Sequence, residues 1–75
     1  MNVPIPYGLS LADWADQVVF ALSDSGPVPR FDGGDWQEWA QRLLELNPTV
    51  QQACPAPGSF SDWQEWAARF AFAVN

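Results

Sequence analysis

Histidine and lysine are both missing from this 75-residue chain, and cysteine occurs once, as Cys54. Without histidine there is no imidazole for acid-base or nucleophilic chemistry, and a single thiol can form neither an internal disulfide nor a Cys/His zinc cluster. Positive charge is scarce as well: three arginines face nine acids, for a formal net charge of −6. A phosphate-backbone partner needs a basic surface, so this balance argues against nucleic acid. No apolar run approaches membrane-spanning length, and Met1-Asn2-Val3-Pro4 has neither the basic start nor the apolar stretch of a secretory signal. These absences predict a protein that is not an enzyme and that uses no cofactor, metal, nucleic acid or membrane.

Apolar residues make up 48% of the chain and aromatic ones 15%, too much for a disordered segment. A chain this short buries only about 60–65% of its unfolded surface, and its core rarely supplies more than ~3–5 kcal/mol. With disulfide and metal excluded, large aromatic side chains and a partner surface are the remaining sources of stability. Five Trp, five Phe and one Tyr suit that requirement.

Aligned with itself, the chain repeats. Asp35-Trp36-Gln37-Glu38-Trp39-Ala40 recurs as Asp62-Trp63-Gln64-Glu65-Trp66-Ala67 after 27 residues, and Ser10-Leu11-Ala12-Asp13-Trp14-Ala15 is a weaker copy 25 residues upstream. Each copy follows a Pro-x-Pro lead and an aromatic: Pro4-Ile5-Pro6 with Tyr7, Pro27-Val28-Pro29 with Phe31, and Pro55-Ala56-Pro57 with Phe60. Proline fixes φ and pushes its predecessor out of the helical region, so each lead is a stiff extended strap. Ser10, Asp35 and Asp62 are placed to cap the helix that follows, with Asp13, Glu38 and Glu65 three residues on as the second half of a capping box.

The helix ends are also legible. The run Ser23-Asp24-Ser25-Gly26-Pro27 stops the first helix at about Leu22, Asn47-Pro48 stops the second, and the third runs from about Trp63 to Val74. Pro48 also permits a brief helical turn through Ala53. Helices this short are marginal alone, so their stability must come from packing. Along the second helix Trp36, Trp39, Ala40, Leu43, Leu44 and either Leu46 or Asn47 form one stripe, with Gln37, Glu38, Gln41, Arg42 and Glu45 opposite. The counterparts of Glu45 are Phe20 in the first copy and Phe72 in the third. The outer helices are therefore apolar on two sides, and a second apolar face on so small a domain calls for a cover.

Candidate partner-binding residues are accordingly Phe20 and Phe72, the tryptophans Trp14, Trp36, Trp39, Trp63 and Trp66, and the strap prolines Pro4, Pro6, Pro27, Pro29, Pro55 and Pro57. The alternatives are bland: tryptophans at i, i+3 as core anchors, the two phenylalanines as filler between helices, and the straps as stiff linkers. Asp32-Gly33-Gly34-Asp35 lacks the ligand spacing of a calcium loop and reads as a turn plus cap. Cys54 has no basic neighbour in sequence and reads as a small buried or bystander residue.

Pro27, Pro29, Asp35, Trp36, Trp39 and Ala40, with Pro55, Pro57, Asp62, Trp63, Trp66 and Ala67, form a Pro-rich lead running into a W-x-x-W-A helix. This pattern resembles short segments of small structural proteins and of fibre or adaptor termini in tailed bacteriophages. The resemblance implies a virion component, made in the host cytoplasm, that docks on other virion proteins or on copies of itself at a fibre base, at the neck or on the capsid exterior. The first copy departs from it, with Leu11 in place of the leading Trp.

The expected fold is all-α: one domain over residues 1–75, made of three tandem strap-and-helix units at about 3–23, 27–47 and 55–75. Its three helices either pack as one bundle or splay open over a partner. The competing function is a small acidic inhibitor or DNA mimic of a host enzyme. The carboxylates fall at helix starts in separate clusters, whereas mimicry needs a continuous stripe.

Overall fold

The computed structural model describes residues 3–24 and 26–75; Met1, Asn2 and Ser25, the last within the stop signal of the first helix, lie outside the described residues. Each long helix opens at the side chain expected to cap it. Ser10 Oγ accepts the Asp13 N–H (3.2 Å) and starts α1 (Leu11–Leu22). Asp35 Oδ1 accepts the Gln37 N–H (2.9 Å) and starts α2 (Trp36–Leu46). After Asn47 the chain restarts as α3 (Pro48–Ala53), with Pro48 at a position whose amide has no helical partner to lose. Asp62 Oδ1 accepts the Gln64 N–H (3.0 Å) and starts α4 (Trp63–Val74). A single 3₁₀ turn spans Pro57–Ser59, and no strand forms among the described residues.

The all-α class is therefore correct, with two corrections. Among the described residues there are four α-helices rather than three, because the turn permitted by Pro48 forms as a helix of its own. The splayed arrangement is excluded: the molecule measures 24 × 23 × 22 Å with a Cα radius of gyration of 10.8 Å.

The straps explain the closure. A Pro-rich extended segment has carbonyls without backbone partners, and a buried indole has one N–H that must find an acceptor. Each need satisfies the other three times. Trp14 Nε1 donates to Pro4 O (2.8 Å), Trp39 Nε1 to Pro29 O (2.7 Å) and Trp66 Nε1 to Pro55 O (3.0 Å). Each strap is thereby fastened over its own helix.

Corresponding positions of the three long helices build the core. The pairs Trp14-Ala15, Trp39-Ala40 and Trp66-Ala67 are all buried, followed one turn later by Val18, Leu43 and Phe70. The alanines are fully buried, leaving room for large rings beside them. Trp14 is the hub: its ring centroid lies 6.0 Å from Trp39, 5.9 Å from Trp63, 6.1 Å from Trp66 and 5.9 Å from Phe70. The Trp39, Trp66 and Phe70 contacts are edge-to-face, the arrangement the ring quadrupoles favour.

Three side-chain amides stitch distant segments together. Asn75 exchanges two bonds with the backbone of Val3 (Nδ2 to O, 2.9 Å; Val3 N–H to Oδ1, 3.1 Å). Asn47 Nδ2 donates to Pro27 O (2.9 Å) and Leu43 O (3.0 Å), and Gln37 Nε2 donates to Phe60 O (2.6 Å). Among the described residues every buried side-chain nitrogen and oxygen has a partner.

Candidate functional site

With the core filled by tryptophan, the outward phase of the helices decides what a partner can meet. Phe20 on α1 is 83% exposed and Phe72 on α4 is 90% exposed. Glu45, at the matching position of α2, is exposed too. All three positions point outward for one geometric reason, each being six residues past a buried Trp, about 600° or one and two-thirds turns, which leaves it roughly 240° around the helix. Two of the helices place a phenyl ring there and one places a carboxylate.

The tryptophans are a correction to the partner-binding set. Trp14, Trp39 and Trp66 are buried, their rings packed together and their N–H groups spent on the straps, so in this fold they present no surface to a partner. Trp36 and Trp63 are half-buried against the same core. The prolines divide: Pro6 and Pro57 are buried, Pro4, Pro29 and Pro55 are half-buried beneath the indole bonds they accept, and Pro27 is exposed. Most of the strap is thus engaged with its own helix.

Three further exposed apolar residues, Ile5, Tyr7 and Leu46, were not among the candidate partner-binding residues. For Ile5 and Tyr7 a signal existed, since they alternate with strap residues that turn inward. At the end of the α2 stripe the sequence left Leu46 and Asn47 as alternatives, and the structure buries Asn47 and leaves Leu46 exposed.

Concavities on the surface of the described residues include two near the candidate positions. One, of about 130 Å³, is lined by Arg30, Asp32, Asp35, Glu38, Trp39 and Arg42 among others. Its aspartates are already engaged: Asp32 Oδ1 accepts the Gly34 N–H (3.0 Å) in a turn and Asp35 caps α2. Among the described residues no group of three or more His, Cys, Asp or Glu side chains could hold a metal ion. The other concavity is an open groove beside Phe20, lined by Asp16, Val19, Phe20, Ser23 and Arg30. No described helix is long and apolar enough to cross a membrane.

Cys54 follows α3 half-buried, and desolvation pushes its thiol up from the ordinary 9.0 to about 11. The folded protein thus holds this proton more tightly than the unfolded chain. The contribution to stability is complete below about pH 9 and falls as pH rises towards 11. Alkylation by iodoacetamide at neutral pH is expected to be slower than for free cysteine and to recover in urea. The stability difference between the wild type and Cys54→Ala should narrow between about pH 9 and 11; a difference constant with pH would contradict it.

No family model, curated protein or solved structure matches this chain. Fold and surface together define a small all-α protein whose aromatic core is satisfied internally and whose outward phenyl rings are left over.

Proposed function

We propose that this protein is a non-enzymatic docking component of a larger assembly, a virion structural protein that attaches to neighbouring subunits through Phe20 and Phe72. Three related strap-and-helix units supply the scaffold, and two of them carry an anchor. The observation behind this reading is that Phe20 and Phe72 are almost fully solvated while every other Phe and every Trp is at least half-buried. Aromatic side chains are favoured anchors at interfaces, each supplying large area at little entropic cost. The virion setting rests on the resemblance of the lead-and-helix motif to phage structural segments.

Burying a phenyl ring stabilises a contact by ~1.5–3 kcal/mol, so losing two costs ~3–6 kcal/mol, or about 10²- to 10⁴-fold in affinity. The variant Phe20→Ser/Phe72→Ser is expected to keep the near-UV circular dichroism of the Trp core while failing to join the parent particle. Light scattering with and without the particle proteins measures this. A double variant incorporated as well as the wild type would refute the reading.

A further inference from the structure

The surroundings of Phe20 carry a charge signature that those of Phe72 lack. Asp13 and Asp16 precede Phe20 by seven and four residues on the same exposed face of α1, and exposed Asp24 follows in the turn beyond the helix. The last turns of α1 and α4 both lack a basic residue, so a negative dipole end lies beside each ring and the difference between the two faces rests on the carboxylates. Arg30 is the one cation lining the Phe20 groove. Phe72, by contrast, has Arg69 three residues before it and Glu65 seven before it, one charge of each sign.

We propose that Phe20 with Asp13, Asp16 and Asp24 forms a docking face for a cationic protein groove, an apolar socket ringed by Lys or Arg. This rests on the docking reading above and supplies the chemistry of the partner. Charge selects among the possible occupants. A second copy would bring the same carboxylates and a net charge of −6 against this face, and anionic lipid headgroups are repelled in the same way. A basic protein groove gains from both parts, the socket taking the ring and the rim pairing with the carboxylates.

A helical peptide with leucine on one face and lysine on the others imitates such a groove, and its leucine/glutamate counterpart is the control. Calorimetry on the full chain should show binding of the lysine peptide that weakens between ~50 and ~300 mM salt as screening grows. Amide shifts should centre on Asp16, Val19, Phe20 and Ser23. Phe20→Ser should weaken binding at least ~10-fold, the loss of one buried ring, and Leu46→Ser, at an exposed apolar residue on α2, should leave it within about twofold. Asp13→Asn/Asp16→Asn/Asp24→Asn should also weaken it and flatten the salt dependence.

Binding indifferent to Phe20→Ser would show mere polyelectrolyte attraction and overturn the proposal. So would equal binding of the glutamate peptide, no binding of the lysine peptide, Phe20-dependent self-association, or attachment to phosphatidylglycerol vesicles. If particle incorporation depends on the two phenylalanines while the lysine peptide fails, the partner chemistry falls and the docking reading stands. If incorporation ignores them, the docking reading falls itself.

Discussion

Replacing Trp14 by alanine is expected to leave the chain unfolded at 25 °C, with loss of its near-UV circular dichroism and of a cooperative urea transition. Its ring is fully buried and lies within about 6 Å of four other aromatic rings drawn from α2 and α4. Truncating a buried Trp to Ala costs ~3–5 kcal/mol. That matches the ~3–5 kcal/mol a core of this size supplies, so nothing is left to hold the fold. Trp14→Phe separates the ring from its polar handle. It keeps most of the packing but leaves Pro4 O without its 2.8 Å donor, at a cost of ~1–3 kcal/mol. This variant should fold with a Tm lowered by ~5–20 °C, since 1 kcal/mol moves the midpoint of so small a domain by about 4–8 °C. A Trp14→Ala chain with the wild-type urea midpoint would mean that the three units do not depend on this hub.

Asn47→Ala is expected to cost ~1–3 kcal/mol, because the amide is buried and bridges two carbonyls that then lose their donor. The site can be tested from its other side at Gly26. Gly26 has φ +158°, and a Cβ there would lie 2.8 Å from Asn47 Oδ1. Gly26→Ala should therefore destabilise by displacing the amide from Pro27 O. The two substitutions damage one contact, so Gly26→Ala/Asn47→Ala should cost clearly less than the sum of the single changes. Urea titrations of the four proteins measure the coupling. Strict additivity would show that Gly26 and Asn47 act independently.

The helix boundaries were legible because their causes are local. Ser10, Asp35 and Asp62 cap within a few residues of themselves, and Pro48 has no N–H with which to continue α2 while opening α3 without losing a bond. The buried stripe was legible because its period is that of a helix. The straps were legible as straps but not in register. By motif, Pro4 matches Pro27 and Pro55; by the indole bond it matches Pro29 and Pro55. The structure thus shifts the second lead by one Pro-x-Pro step, because the carbonyl that lies over a buried indole is set by distance to the Trp and not by the tripeptide. The ties through Gln37 and Asn75 were not legible at all. Each joins residues far apart in the chain, and an amide carries no sequence mark of the partner it will meet.

The sequence alone determined the helical class, the starts and stops of the long helices and the outward phase of Phe20 and Phe72, since each follows from capping, proline geometry and a 3.6-residue period. Only the tertiary structure decided that the units close on themselves, that Trp14, Trp39 and Trp66 serve the core rather than a neighbour, and which strap carbonyl each indole takes. Those outcomes depend on three buried N–H groups finding acceptors at once in a 24 × 23 × 22 Å molecule. Such a condition exists only when segments distant in the chain are brought together.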